Sequence, residues 1–290
     1  MSRRTSFALA LSSSLAALSV IPGLAQAQLT AQPTVLAPRP TSGDPSLDLL
    51  DTKWRVAAGL GIAVTSGNSQ SSTLNATAEA SRTTDNSKLS LTGRGLYAKS
   101  KSTDAVTGER KTNVTGLNWA VGAQYDRDLD PQYFAFGRYD HMADRPANIS
   151  ARDSTYLGFG RHLIRSEAHT FDVSAGLGYA QDKYINSITV SGEQRQEYGR
   201  IEGLVSEAST HKLTQTTSLR QKFGIFPNLK DSGEYRAMFD GGVAVTISSN
   251  MSLTMGLTYR YDSNPGVDGT GRALKKGDSA FVTGLSVKFD

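Results

Sequence analysis

The chain contains no cysteine. That one absence removes disulfide scaffolds, thiolate zinc sites, cysteine nucleophiles and the lipid-modified cysteine of a lipoprotein. Long hydrophobic runs are missing too. A membrane helix needs roughly 20 consecutive apolar residues, and nothing beyond the amino terminus approaches that, in keeping with a mean hydropathy of -0.34. A helical-bundle membrane protein is excluded. Histidine is scarce, at four in 290 residues, and neither sign of charge dominates, with 31 Lys and Arg against 27 Asp and Glu.

What is present begins with an export signal. Arg3 and Arg4 form a short basic region, Phe7 to Val20 is rich in Ala, Leu and Ser, and Ala25-Gln26-Ala27 supplies a small-x-small cleavage pattern. The mature chain is expected to start at Gln28. A retained anchor is the alternative, and the apolar run is too short for a comfortable span. Cleavage removes two arginines and no acid, leaving 29 minus 27, or +2. A charge that small gives no reason to expect a nucleic-acid partner. Residues 28–50 carry Pro33, Pro38, Pro40 and Pro45 among Thr, Ser and Gln without an apolar period, and read as a flexible periplasmic leader. Residues 51–290 then form one unit, with no internal break.

Within that unit the pattern is alternation. In the last stretch Phe281, Thr283, Leu285, Val287 and Phe289 share one parity, and Ala280, Val282, Gly284, Ser286 and Lys288 the other. Met251 to Asp262, Trp54 to Ile62 and Phe171 to Tyr179 repeat it. Period two over about a dozen residues is a strand signature, because successive side chains leave opposite faces. Twelve strands are predicted, near 53–64, 70–83, 87–101, 111–127, 132–144, 152–165, 168–182, 195–208, 211–226, 234–248, 250–263 and 277–289. The ninth is the weakest, since Gln215 and Gln221 fall on its apolar parity. Tight connections (Thr84 to Asn86, Arg165 to Glu167, Ser249 to Asn250) alternate with long ones (Ser102 to Arg110, Lys183 to Gln194, Asn264 to Lys276), and Gly67-Asn68-Ser69 is the one short member of the second series.

A soluble sandwich or lipocalin-like barrel would bury the apolar parity, whereas a transmembrane barrel turns it to lipid. Strand length, alternating turn lengths and an even strand count favour an all-β, antiparallel, up-and-down transmembrane barrel. Aromatic residues at the strand ends agree. Trp54, Tyr125, Phe171 and Phe289 fall on the predicted periplasmic rim, and Tyr97, Tyr139, Tyr179 and Tyr259 on the outer one. Closure is required because unpaired backbone groups in hydrocarbon each cost several kcal/mol.

The residues also carry a resemblance. Trp54 followed by Gly59-Leu60-Gly61, Thr65 to Ser69, Tyr133 to Asp140, Gly158 to Ile164, Gly176 to Tyr179, and Tyr259 to Pro265 resemble, in order and spacing, the YdiY-like family of salt-induced outer-membrane proteins. The resemblance covers about 53–290. It implies an outer-membrane β-barrel of a Gram-negative-type envelope and no established reaction, since the family is known mainly as a domain of unknown function. The terminal Gly284 to Phe289 resembles the assembly signal of such barrels, although Asp290 follows the aromatic residue. The partners implied are outer-membrane lipids and the barrel-assembly machinery, engaged through the last strand.

On this register the inward charges are Arg55, Glu79, Arg94, Arg138, Asp140, Asp172, Arg200, Glu202, Arg220, Arg236, Asp240, Arg260 and Asp262. They are the candidate lumen residues, and two readings stand. One is a salt-bridged interior that fixes register in a structural or stress-related envelope component. The other is a narrow channel favouring anionic or zwitterionic solutes, since seven of the thirteen are Arg. A lipid hydrolase is the alternative function. Hydrolytic barrels need a His–Ser pair, but none of His141, His162, His169 and His211 has Ser or Thr two positions later. His162 falls on the inner parity, where a polar lining role suits it, and an adjacent-strand pair stays open. No enzyme activity, cofactor or metal is expected. Asp126, Asp128 and Asp130 alternate, but they precede Pro131 and lack the glycine and terminal Glu of a calcium loop. The Gly-x-Gly pairs at 59, 158 and 176 lack the following helix of a phosphate loop and read as relief of crowding on the inner wall.

Overall fold

A computed structural model describes residues 54–65, 70–103, 110–190, 193–266 and 273–289. The signal, the leader, Gly67-Asn68-Ser69 and the middles of the connections after Thr103 and Gly266 lie outside the described residues. Twelve antiparallel strands run in order: β1 (Trp54–Thr65), β2 (Gln70–Thr84), β3 (Ser87–Thr103), β4 (Arg110–Asp128), β5 (Tyr133–Asp144), β6 (Ile149–Arg165), β7 (His169–Val190), β8 (Glu193–Lys212), β9 (Thr217–Pro227), β10 (Tyr235–Ser248), β11 (Met251–Asp262) and β12 (Gly277–Phe289). Each pairs with its sequence neighbours, and β1 closes on β12. Among the described residues the seam is the shortest ladder, five register pairs from Val56↔Phe289 to Leu60↔Leu285, against twelve between β1 and β2.

The burial pattern is inverted relative to a soluble protein. Leu60, Ile62, Leu157, Phe159, Leu177 and Phe281 are each more than 60% exposed, while Asp182 and Glu202 are 1% exposed. Water would not tolerate that outer wall and lipid would not tolerate those charges outside, so the apolar parity faces a bilayer. The soluble-sandwich alternative is thereby set aside.

Two differences from the sequence reading concern strand ends. Of Lys183 to Gln194, read as a long loop, the described residues 183–190 and 193–194 belong to strand: β7 and β8 continue as a paired ribbon, with Ile188↔Arg195 and Val190↔Glu193 beyond a register shift. The cause is visible on the outer face. From Phe171 to Tyr179 the outward residues are apolar, a band of nine residues that suits a tilted crossing. Above Tyr179 the outward positions become Gln181 and Lys183, opposite Glu197. The hairpin has left the bilayer there, so its pairing persists while its apolar period ends. Likewise β9 starts at Thr217 rather than 211, because His211 and Lys212 complete β8.

The Gly-x-Gly pairs have a specific role. Gly160, Gly158 and Gly178 stand opposite Phe134, Phe136 and Tyr156 on neighbouring strands, and a Cβ at any of them would lie 2.1 to 2.7 Å from those rings. Each aromatic ring lies over a glycine of the next strand, inside the barrel. Phe134, Phe136, Tyr156, Leu204, Phe226 and Met238 form one buried apolar cluster there. The sequence reading assigned the interior only small and charged residues, and this cluster corrects it.

Candidate functional site

The interior has two unlike walls. On β5, β6 and β8 the inward face carries large buried residues, while β7 between them contributes the small Ser174, Gly176 and Gly178. Phe134, Phe136, Arg138, Tyr156, Arg200, Glu202 and Leu204 are all at most 6% exposed. On β1, β2, β11 and β12 the inward positions are small: Ala57, Gly59 and Gly61; Thr73, Asn75 and Thr77; Thr254, Gly256 and Thr258; Ala280, Val282 and Gly284. Each of these is partly exposed. Mid-strand residues facing inward can meet solvent only through the lumen. The small side chains of these strands leave space unfilled beside that wall of the lumen.

The filled wall is held by a chain of ion pairs. Asp182 accepts from both Nε and Nη2 of Arg152, the latter at 2.6 Å, and from Arg200 Nη1 at 2.8 Å. Arg200 Nε donates to Glu202 Oε1 at 2.6 Å, and Glu202 Oε2 accepts from Arg236 Nη2 and the Tyr156 hydroxyl, each at 2.6 Å. Tyr184 adds a hydroxyl donor to Asp182 at 3.1 Å, and the Arg236 guanidinium lies 5.2 Å from the Phe226 ring centroid. Five alternating charges from β6, β7, β8 and β10 are thus joined, each stabilised by a neighbour of opposite sign.

The extracellular turns pack onto the same wall. Asn148, at a positive φ of 61° that Asn tolerates better than most residues, exchanges hydrogen bonds with Asn186 of β7 at 2.8 to 3.1 Å. Between β9 and β10, Asn228 donates to the Tyr198 hydroxyl at 2.9 Å, and Tyr198 donates to Asp231.

The remaining predicted lumen residues also face inward, in other company. Arg138 Nε donates to Asp140 Oδ2 at 2.7 Å. Arg220 Nη1 of β9 lies 3.7 Å from Glu79 Oε2 of β2, an ion pair between strands five places apart around the ring. Asp240 accepts from Thr258 at 2.8 Å and lies 3.8 Å from Arg260 Nη2. Arg94 lies within electrostatic reach of Arg260, Asp240, Asp140 and Arg138. Arg55 is partly exposed near the periplasmic end. Asp262, opposite Arg236 at the end of β11, also accepts from the backbone N–H of Asn264 at 2.9 Å and so caps the turn that follows.

Sequence reasoning missed Arg152, Asp182 and Tyr156. All three lie on the inner parity of their strands, but the two charges fall at predicted strand ends, and Tyr156 resembles a lipid-facing aromatic unless parity is followed past Leu157 and Phe159. Glu207 was missed as well. It faces outward near the periplasmic rim and accepts from Gln221 at 3.5 Å, which accounts for a glutamine on the apolar parity of β9.

The rim aromatics Trp54, Tyr97, Tyr125, Tyr139, Tyr179 and Tyr259 are 41 to 51% exposed on the outer face, and Phe171 is half-buried. Tyr139 and Tyr179 flank Thr155 in one row, with the Tyr139 hydroxyl donating to Asp153 at 2.6 Å where charge begins. Phe289 pairs with Val56 through its backbone; its side chain lies outside the described residues.

The histidines are engaged by carboxylates or by each other. His162 faces inward, with Nδ1 2.7 Å from Asp172 and Nε2 3.4 Å from Asp128, and stacks on Phe134. His141 pairs with Asp153 at 2.7 Å, and His169 with His211 at 3.1 Å. The three alternating aspartates serve separate tasks. Asp126 accepts from Gln124, Asp128 from Arg165, and Asp130 from the backbone N–H groups of Gln132 and Tyr133. Among the described residues, no group of three or more His, Asp or Glu side chains is arranged to hold a metal ion.

Comparison with known proteins gives a family and a general likeness. No curated protein matches the chain. Among solved structures, the NanC porin is similar at 13% identity and a TM-score of 0.45, over 81% of this chain and all of that one. The translocator domain of autotransporter NalP from Neisseria meningitidis is similar at 14% identity and a TM-score of 0.42, over 84% of this chain and 91% of that one. Neither figure allows a functional feature to be carried over. The family described as "Protein of unknown function, DUF481" matches residues 58–289, which agrees with the resemblance read from the motifs, and this twelve-stranded barrel belongs to that family.

Proposed function

We propose that the protein is a narrow passive channel of the bacterial outer membrane, exported by a cleaved signal peptide and inserted by the barrel-assembly machinery through its last strand. One observation carries this reading: the inward residues of β1, β2, β11 and β12 are small and stay partly exposed at mid-strand, while Phe134, Phe136 and Arg138 of β5, Tyr156 of β6 and Arg200, Glu202 and Leu204 of β8 are buried. A passage offset to one side is what such a division leaves. Its walls carry Arg94, Arg220 and Arg260 beside Glu79, Asp140, Asp240 and Asp278, so small polar solutes are the expected cargo.

The second reading, a structural or stress-adapted envelope component, draws on the five-charge network, which braces four strands from within. The salt-related family label fits it. No reaction is proposed. A hydrolase would need His162 free to activate a hydroxyl, and its two ring nitrogens face Asp172 and Asp128 instead. Single-channel recording in a planar bilayer tests the channel reading: discrete small steps are expected. A barrel that shows the heat-dependent gel shift of a closed fold yet never conducts would favour the structural reading.

A further inference from the structure

We propose that Glu79 of β2 and Arg220 of β9 form a strut across the lumen, the constriction that sets the bore of the passage. The inference rests on the channel reading and deepens it by naming the pair that controls what passes.

β2 and β9 stand five places apart in a ring of twelve strands, nearly opposite each other. Tilted strands spaced about 4.8 Å apart would close a round barrel in which two such strands lie about 23 Å apart, more than an arginine and a glutamate can span. Yet Arg220 Nη1 lies 3.7 Å from Glu79 Oε2. The cross-section is therefore narrowed along this line. The residues beside the pair are small. Arg220 registers with Gly242 of β10, and Gly242 with Gly256 of β11; Glu79 registers with Ala57 of β1. The Arg220 side chain leans over β10, with Nε 3.9 Å and Cγ 4.0 Å from where Gly242 would carry a Cβ.

Both residues sit toward the periplasmic ends of their strands, where β2 finishes at Thr84 and β9 starts at Thr217. On one side of the ring the strands between them are β1, β12, β11 and β10, three of which carry the small-residue wall. The pair thus bounds the unfilled space beside that wall and divides it from the filled side. The Arg220 side chain keeps 31% of its exposure and that of Glu79 10%, and an inward residue meets solvent only through the lumen. Lys88 and Arg94 also lie within electrostatic reach of Glu79, but both belong to β3, the strand adjacent to β2. A carboxylate with two cations on the next strand needs no third for neutralisation. What Arg220 adds is the span.

The test is single-channel recording of the mature, full-length barrel in a planar bilayer, with the heat-dependent gel shift as the check that each variant is folded. Conductance is set by the narrowest section of a pore, so Arg220→Ala and Glu79→Ala are each expected to raise it about twofold or more. The double variant is expected to conduct no better than the larger single, because the two side chains act as one unit. A second design covers an alanine variant that fails to fold. Glu79→Cys with Arg220→Cys, in a chain that has no other cysteine, is expected to widen the pore, and a bifunctional thiol reagent to return its conductance toward the wild-type value. Either cysteine alone is expected to show no such return. Wild-type conductance in the alanine variants, or no response of the double-cysteine barrel to bridging, overturns the strut and spares the channel. A silent wild type whose variants conduct upholds the strut and refutes the open channel. Silence of every folded barrel overturns both.

Discussion

Asp182→Ala removes a carboxylate that is 1% exposed and that four donors share. Two of those donors belong to Arg152 and one to Arg200, and the alanine would leave both guanidiniums buried beside an empty acceptor position. Adding the four hydrogen bonds separately would overstate the loss, because all end on one side chain and the unfolded state hydrates each partner. Removing one member of a buried ion pair costs about 3 to 5 kcal/mol, and the second cation places Asp182 toward the upper part of that range. Glu202 moderates the loss by still pairing Arg200, so we expect about 4 kcal/mol. The measurement is urea unfolding of the barrel in lipid vesicles, followed by the fluorescence of Trp54 and Trp119. Asp182→Asn keeps part of the acceptor capacity and is expected to lose about half as much. A loss below about 1 kcal/mol for the alanine variant would mean that water reaches and screens the network, and would refute the account of the filled wall.

The other expectations follow from the same geometry. Phe159→Arg, on the lipid face, should cost about 2 to 4 kcal/mol in folding into vesicles; a neutral effect would contradict the orientation of the wall. Gly160→Ala places a methyl against the Phe134 ring and should cost about 1 to 3 kcal/mol, with Phe134→Leu in the same chain recovering part of it; additive losses would contradict the ring-over-glycine packing. In hydrogen exchange, amides beside the five-pair seam of β1 and β12 should open before those between β7 and β8; uniform protection would contradict the short seam.

Much of this architecture was legible in the alternation alone. The pattern from Met251 to Asp262 and from Phe281 to Phe289 placed β11 and β12, and the outward and inward parities held around the ring. What escaped was of two kinds. The ends of β7 and β8 were hidden because the apolar period reports lipid contact rather than pairing, and it stops where the hairpin leaves the bilayer. The unlike walls were hidden because parity tells which way a side chain points, not how far it reaches. Phe134 over Gly160 and Tyr156 over Gly178 require knowledge of register between strands, which no single stretch contains. The same limit concealed the five-charge network: apart from Arg200 and Glu202, which share β8, its members lie on different strands and meet only once the strands pair in register.

The most direct test of the offset passage exploits the absence of cysteine, since any introduced thiol is the sole target of a charged, membrane-impermeant thiol reagent. In barrels reconstituted in vesicles, Thr77→Cys and Thr254→Cys on the small-residue wall should react. Ser154→Cys, at a position 5% exposed on the filled wall, and Leu157→Cys, facing lipid, should not. Equal labelling of the 77, 254 and 154 positions, or none at 77 and 254, would contradict a water-filled passage confined to one side of the barrel.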